Sequence, residues 1–136
     1  MKTKITAALV LVLSGYAIGR AQQPAATHVY EMRTYTASEG KLDAVNARFR
    51  DHTRRIFERH NMKSVGYWTP IDGPMAGTTL IYILEHASRE EARKNWAEFS
   101  ADPEWQKVKA ESEKDGKIVA KTESVFLTPT DYSALK

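Results

Sequence analysis

No cysteine occurs anywhere in the 136 residues. Disulfides, iron–sulfur clusters, thiolate zinc sites and thiol nucleophiles are thereby excluded, so the folded part must hold together by packing alone. Long apolar runs are almost as scarce. The run from Ile5 to Ile18 falls short of the roughly 20 residues that a membrane-spanning helix needs. Acidic residues are missing from positions 1–21, which carry Lys2, Lys4 and Arg20. There is also no Ser-His-Asp order, no phosphate-cradling glycine loop and no dinucleotide fingerprint, and no cofactor is expected.

What the first residues do contain is a positive start (Met1-Lys2-Thr3-Lys4), a short apolar core, and small residues at Gly19 and Ala21 just before Gln22. These are the three parts of a secretory signal. Residues 1–21 are read as a signal peptide, and the remainder is expected to be periplasmic or secreted, with no stable membrane anchor after cleavage. Cleavage changes the charge. The precursor has 20 basic and 17 acidic residues and an isoelectric point of about 9.1. Removing Lys2, Lys4 and Arg20 leaves 17 basic residues against 17 acidic ones. A general nucleic-acid-binding surface loses its main support.

Residues 22–27 read as a flexible lead-in, 28–130 as one domain and 131–136 as a C-terminal tail. His28 to Tyr35 is rich in aromatic and β-branched residues, a strand signal. Alternation separates Tyr30, Met32 and Thr34 from Glu31, Arg33 and Tyr35. Ser38 is placed to cap a helix over about Glu39 to His60, whose Leu42, Val45, Phe49, Ile56 and Phe57 form an apolar stripe. Met62 to Ile71 and Thr78 to Glu85 read as strands around an Asp72-Gly73-Pro74 turn. Ser88-Arg89-Glu90-Glu91 matches a capping box. Asp102-Pro103-Glu104 restarts helix, with proline where its missing donor does no harm. Lys117 to Leu127 reads as the last strand.

The order is β-α-β-β-α-β, the split βαβ arrangement of an α+β, ferredoxin-like domain with a four-stranded antiparallel sheet. Both helices then cover one face, and the other should alternate to polar if water covers it. Instead Tyr67 alternates with Trp68, Tyr82 with Ile81 and Ile83, and Phe126 with Val125 and Leu127. Both faces call for burial, which a second copy laid sheet to sheet would supply.

Several segments together resemble the NIPSNAP family, within the dimeric α/β barrels built from ferredoxin-like subunits. They are Tyr30-Glu31-Met32-Arg33-Thr34-Tyr35, Gly40-Lys41-Leu42, Phe57-Glu58-Arg59-His60, Val65-Gly66-Tyr67-Trp68 and Asp102-Pro103-Glu104-Trp105-Gln106. The resemblance runs from about His28 to Pro129 and implies a homodimer whose two sheets enclose a cavity. Related barrels include cofactor-free monooxygenases, haem-degrading enzymes and ligand binders, so the fold leaves the chemistry open. The third strand, Leu80 to His86, departs from the histidine and tryptophan that many members carry there.

Glu31, Arg33 and Tyr35 alternate onto one face in steps of about 7 Å. They are expected opposite the helix-facing Tyr30 and Met32, lining the barrel to bind a polar ligand or shift a proton. The structural alternative is an ion pair bridging the dimer. His52, near the apolar stripe, is expected to point toward the sheet as a base or a hydrogen-bonded contact. Tyr67, Trp68 and Tyr82 complete the candidate ligand-binding set. His52 and His60, about 12 Å apart on a helix, cannot share a metal. His28 and His86 sit on strand ends with no acid at ligand spacing, so no metal site is expected. Trp68, Trp96, Phe99 and Trp105 form either an aromatic pocket or core. The basic side chains of the first helix, Arg48 and Arg59 among them, either steer a partner or form a solvated face. The functional expectation is a homodimer binding a small molecule in its barrel. The alternatives are a cofactor-independent monooxygenase- or isomerase-like enzyme and a structural interaction module.

Overall fold

The computed structural model describes residues 28–136; the expected signal peptide (1–21) and lead-in (22–27) lie outside the described residues. Four strands, β1 (Val29–Ala37), β2 (Lys63–Trp68), β3 (Thr79–His86) and β4 (Val119–Leu127), form one sheet in the order β2-β3-β1-β4. Every neighbouring pair is antiparallel. The helical elements are α1 (Leu42–Arg48), a π-helical segment (Phe49–Thr53), α2 (Arg54–Arg59), α3 (Arg89–Ala101) and α4 (Pro103–Ser112). This is the expected α+β, ferredoxin-like arrangement.

Register decides which side chains share a face. Arg33 lies opposite Tyr82 and Ser124, Glu31 opposite Leu84 and Phe126, and Tyr35 opposite Leu80 and Thr122. Leu80, Tyr82 and Leu84 are core residues packed with Val45, Phe49, Ile56, Phe57 and Phe99 of the helices. Glu31, Arg33 and Tyr35 therefore face the helices. Tyr30 and Met32 face the open side with Ile81, Ile83, Val125 and Leu127. The expected orientation of β1 is thus reversed. Apolar bulk suggested that Tyr30 and Met32 pack under the helices, but Tyr30 is buried by the C-terminal tail instead. Its hydroxyl donates to the Lys136 carbonyl at 3.1 Å, and Leu127, Pro129 and Leu135 line a hollow beside it.

The first helix begins later than its capping signal implied. Ser38 makes no side-chain cap; its carbonyl accepts from Lys41 N–H in a turn that uses Gly40 at φ 66°, and helix starts at Leu42. Its middle is π-helical, where the wider i→i+5 turn brings Thr53 rather than His52 beneath the apolar stripe. Thr53 is buried and its hydroxyl donates to the Arg48 carbonyl at 3.2 Å. His52 is exposed. The second strand is also shorter than expected, ending at Trp68.

The other two helix starts follow their signals. Ser88 Oγ accepts from Glu91 N–H at 3.0 Å. Asp102 Oδ1 accepts from the N–H groups of Glu104 and Trp105 at 2.8 and 3.3 Å. The other oxygen of Asp102 receives Arg59 Nη2 at 2.6 Å and His60 Nε2 at 2.7 Å. Arg55 and Arg59 both reach Glu104. The helix-end motif Arg59-His60 is thereby locked to the restart motif Asp102-Pro103-Glu104. Arg48 is not part of a solvated face: it is buried, pairs with Glu113 at 3.1 Å and lies over the Trp105 ring.

Candidate functional site: a helix–sheet cleft at Glu31

The helical layer leaves β4 largely bare. Along that strand only Val119 and Phe126 are half-buried, so a cleft opens between α3 and β4 on the helix side of the sheet. At its floor lies Glu31, 2% exposed. A buried carboxylate is tolerable only when its lone pairs are matched, and here four donors converge. Oε1 accepts from Arg33 Nη1 and from Ser124 Oγ, each at 2.7 Å. Oε2 accepts from Trp96 Nε1 at 2.7 Å and from His86 Nε2 at 3.0 Å. Three strands and one helix each supply a partner, and central β1 is the only strand from which a side chain can reach both β3 and β4.

The electrostatics follow from those bonds. Burial alone would raise the Glu31 carboxyl, but hydrogen bonds from His86, Trp96, Ser124 and Arg33 reverse this and hold it down at about 2. An ionised carboxylate only accepts, so His86 donates through Nε2. If neutral, it carries a bare Nδ1, which is buried without a hydrogen-bond partner among the described residues. The Arg33 guanidinium stacks on the Trp96 ring at 4.1 Å and approaches Tyr35 at 5.8 Å. The cleft has a volume of about 520 Å3 and is lined by Glu31, Arg89, Arg93, Trp96 and Phe126.

The expected site residues divide. Glu31 and Arg33 form the cluster, and Tyr35 borders it. Tyr67 and Tyr82 share that face but stack on each other at 5.6 Å within the aromatic core around Phe49. Burial pushes the Tyr82 phenol well above its ordinary value, so it stays protonated. Trp68 lies apart, 51% exposed on the open face, over Gly66. A Cβ on Gly66 would meet the Trp68 ring at 2.6 Å. His52 lines a separate groove between α1 and α4 with Asp51, Lys107 and Glu111. Trp96, Phe99 and Trp105 pack against one another, with Trp96 at once core and cleft wall.

His86, Trp96 and Ser124 were not singled out as Glu31 partners. Each strand-end histidine meets an acid across the sheet: His86 has Glu31, and His28 Nδ1 lies 2.7 Å from Glu85. In each case the acid belongs to a neighbouring strand, where sequence spacing does not reveal it. The available signal was the antiparallel pairing of β1 with β3, which sets His86 opposite Val29. Among the described residues no group of three or more metal-ligating side chains comes together.

The NIPSNAP family model matches residues 30–134. Among curated proteins, nothing matches the chain. A NIPSNAP family protein of unknown function from Agrobacterium tumefaciens is similar in structure, with a TM-score of 0.71 at 24% identity, over 83% of this chain and 97% of that one. An uncharacterised NIPSNAP-like domain protein from Burkholderia xenovorans has a TM-score of 0.69 at 18% identity, over 79% and 90%. A monooxygenase from Streptomyces coelicolor, solved in complex with nanaomycin D, has a TM-score of 0.53 at 18% identity, over 79% and 91%. At such identities the likeness is one of fold.

Proposed function

We propose, for a chain that belongs to the NIPSNAP family, that it is an exported homodimer holding a small molecule in the cleft between α3 and β4. The observation that carries this is an open cleft of about 520 Å3 floored by a charged, fully matched Glu31. Pockets of roughly 300–1,000 Å3 with few convergent polar groups are the usual form of a ligand site. A core cluster serving stability alone has no need of a solvent opening at its most polar point. Export is supported by the three-part signal in residues 1–21, with 22–27 as lead-in, 28–130 as the domain and 131–136 as its tail. The homodimer is supported by the open sheet face, where Trp68, Val125 and Leu127 are exposed.

One observation favours a second reading, an oxygenase- or isomerase-like enzyme. The Glu31 carboxylate at the cleft floor is paired with the His86 imidazole through Nε2 at 3.0 Å, an acid–imidazole pair of the kind that proton-transfer enzymes use, with the His86 ring buried beneath the cleft surface. His52 lines the separate groove between α1 and α4 and not this cleft.

Native mass spectrometry of the intact exported protein tests the binding function. The expected spectrum shows a ligand-sized mass on each chain that is largely lost in Phe126→Ala, which removes a cleft wall. A ligand mass that Phe126→Ala retains in full contradicts the assigned location.

A further inference from the structure

Resting on the reading that the cleft holds a ligand, we infer that the ligand is a small organic carboxylate on a planar, apolar body. Arg89, Arg93 and Trp96 stand at i, i+4 and i+7 of α3 and so form one stripe along the helix, and all three line the cleft. Neither arginine makes an ion pair among the described residues. Glu90, Glu91 and Glu98 of the same helix leave them unmatched.

This placement is electrostatically unfavourable for the empty protein on two counts. Like charges at i and i+4 repel. Arg89 is the first residue of α3, so its cation sits at the positive end of the helix dipole, where anions are preferred. Three other arginines of the helical layer have acids beside them: Arg48 pairs with Glu113, and Arg55 and Arg59 pair with Glu104, whereas Arg89 and Arg93 face the cleft without one. Glu31, the acid in the cleft, already has its four lone-pair sites filled, one of them by Arg33. The cleft therefore carries two uncompensated guanidinium groups at its lip.

A carboxylate matches that lip. Each guanidinium offers a fork that can bind a carboxylate through two parallel bonds, and the anion relieves both the mutual repulsion and the misplaced dipole charge. The body of the ligand is set by the walls. Phe126 and Trp96 are half-buried aromatic side chains facing the same space, with the Arg89 guanidinium 4.8 Å from the Phe126 ring centre. A planar hydrocarbon carrying one acid group meets both chemistries.

Titration calorimetry of the full protein with 1-naphthoate and with its neutral isostere 1-naphthamide separates the outcomes, with the Trp96 indole N–H resonance followed in parallel. Naphthoate is expected to bind at least tenfold more tightly than naphthamide. The preference should shrink with added salt and collapse to about twofold or less in the double variant Arg89→Gln/Arg93→Gln, whose exposed positions leave the fold intact. Equal binding of the two compounds, with Trp96 shifted by both, overturns the carboxylate assignment and leaves the ligand cleft standing. Failure of both to shift Trp96 overturns the ligand cleft, and the carboxylate with it.

Discussion

Glu31 is the residue on which the cleft turns, because its charge is matched by groups from β1, β3, β4 and α3 at once. Replacing it with glutamine keeps the volume but confronts two of the four donors with an NH2 group and strips Arg33 of its counter-charge. Breaking a buried pair by removing one partner typically costs several kcal/mol, and Glu31→Gln is expected to lower stability by about 3 kcal/mol in urea unfolding. The pH dependence has a definite sign. The folded carboxyl sits at about 2 against an ordinary 4.5, so its stabilisation is complete above about 4.5 and is lost as pH falls toward 2. Glu104 and Asp102 are lowered as well, through Arg55, Arg59 and His60, so wild-type stability falls over this whole range. The Glu31 share is the difference: Glu31→Gln should show a shallower decline in stability between pH 4.5 and 2 than the wild type.

At the level of elements, two caps and one irregular turn set the helical layer. Ser88→Ala removes a single cap bond and is expected to cost about 1 kcal/mol in thermal or urea unfolding. Asp102→Ala removes a cap together with the partner of Arg59 and His60, so its loss should exceed that of Ser88→Ala. Asp102→Asn, which keeps the cap and drops the charge, should fall between wild type and Asp102→Ala. Thr53→Val leaves the Arg48 carbonyl without its hydroxyl donor and is expected to cost about 1 kcal/mol. Both caps were legible because capping chemistry is local: a side chain meets a backbone three residues away. The π-helical segment was not legible, since nothing in Phe49-Arg50-Asp51-His52-Thr53 breaks a helical pattern. The wider turn comes from tertiary packing, which buries Thr53 and turns His52 out. The orientation of β1 escaped for a related reason. Polarity normally marks the solvent side of a strand, but Glu31 and Arg33 are buried by partners distant in sequence, while Tyr30 is covered by a tail beginning some 100 residues later.

For the whole molecule, the same sheet offers two different surfaces. The helix side is packed except above β4, where the cleft opens; the other side bears Met32, Trp68, Ile81, Ile83, Val125 and Leu127, partly shielded by the tail. The β-α-β-β-α-β succession and its antiparallel sheet were readable from where strand and helix signals alternate, and the apolar character of both faces from period-2 alternation; the lateral order β2-β3-β1-β4 was not. Which face carries the polar cluster was not, because that depends on how β1 meets β3 and β4. If two copies join through the open face, sedimentation of the purified protein gives a dimer, and Val125→Lys shifts it toward folded monomer while leaving the cleft intact. A monodisperse, folded wild-type monomer at micromolar concentration contradicts that assembly.

The three tryptophans report on three separate regions: Trp68 on the open face, Trp96 in the cleft wall and Trp105 beside Arg48. The most direct measurement follows their indole N–H resonances in 15N-labelled protein during titration with 1-naphthol and 1-naphthoate. A ligand site at Glu31 predicts that Trp96 shifts first and furthest while Trp68 stays in place. A saturable shift at Trp68 with Trp96 unmoved would put the site between the paired sheets and contradict the cleft.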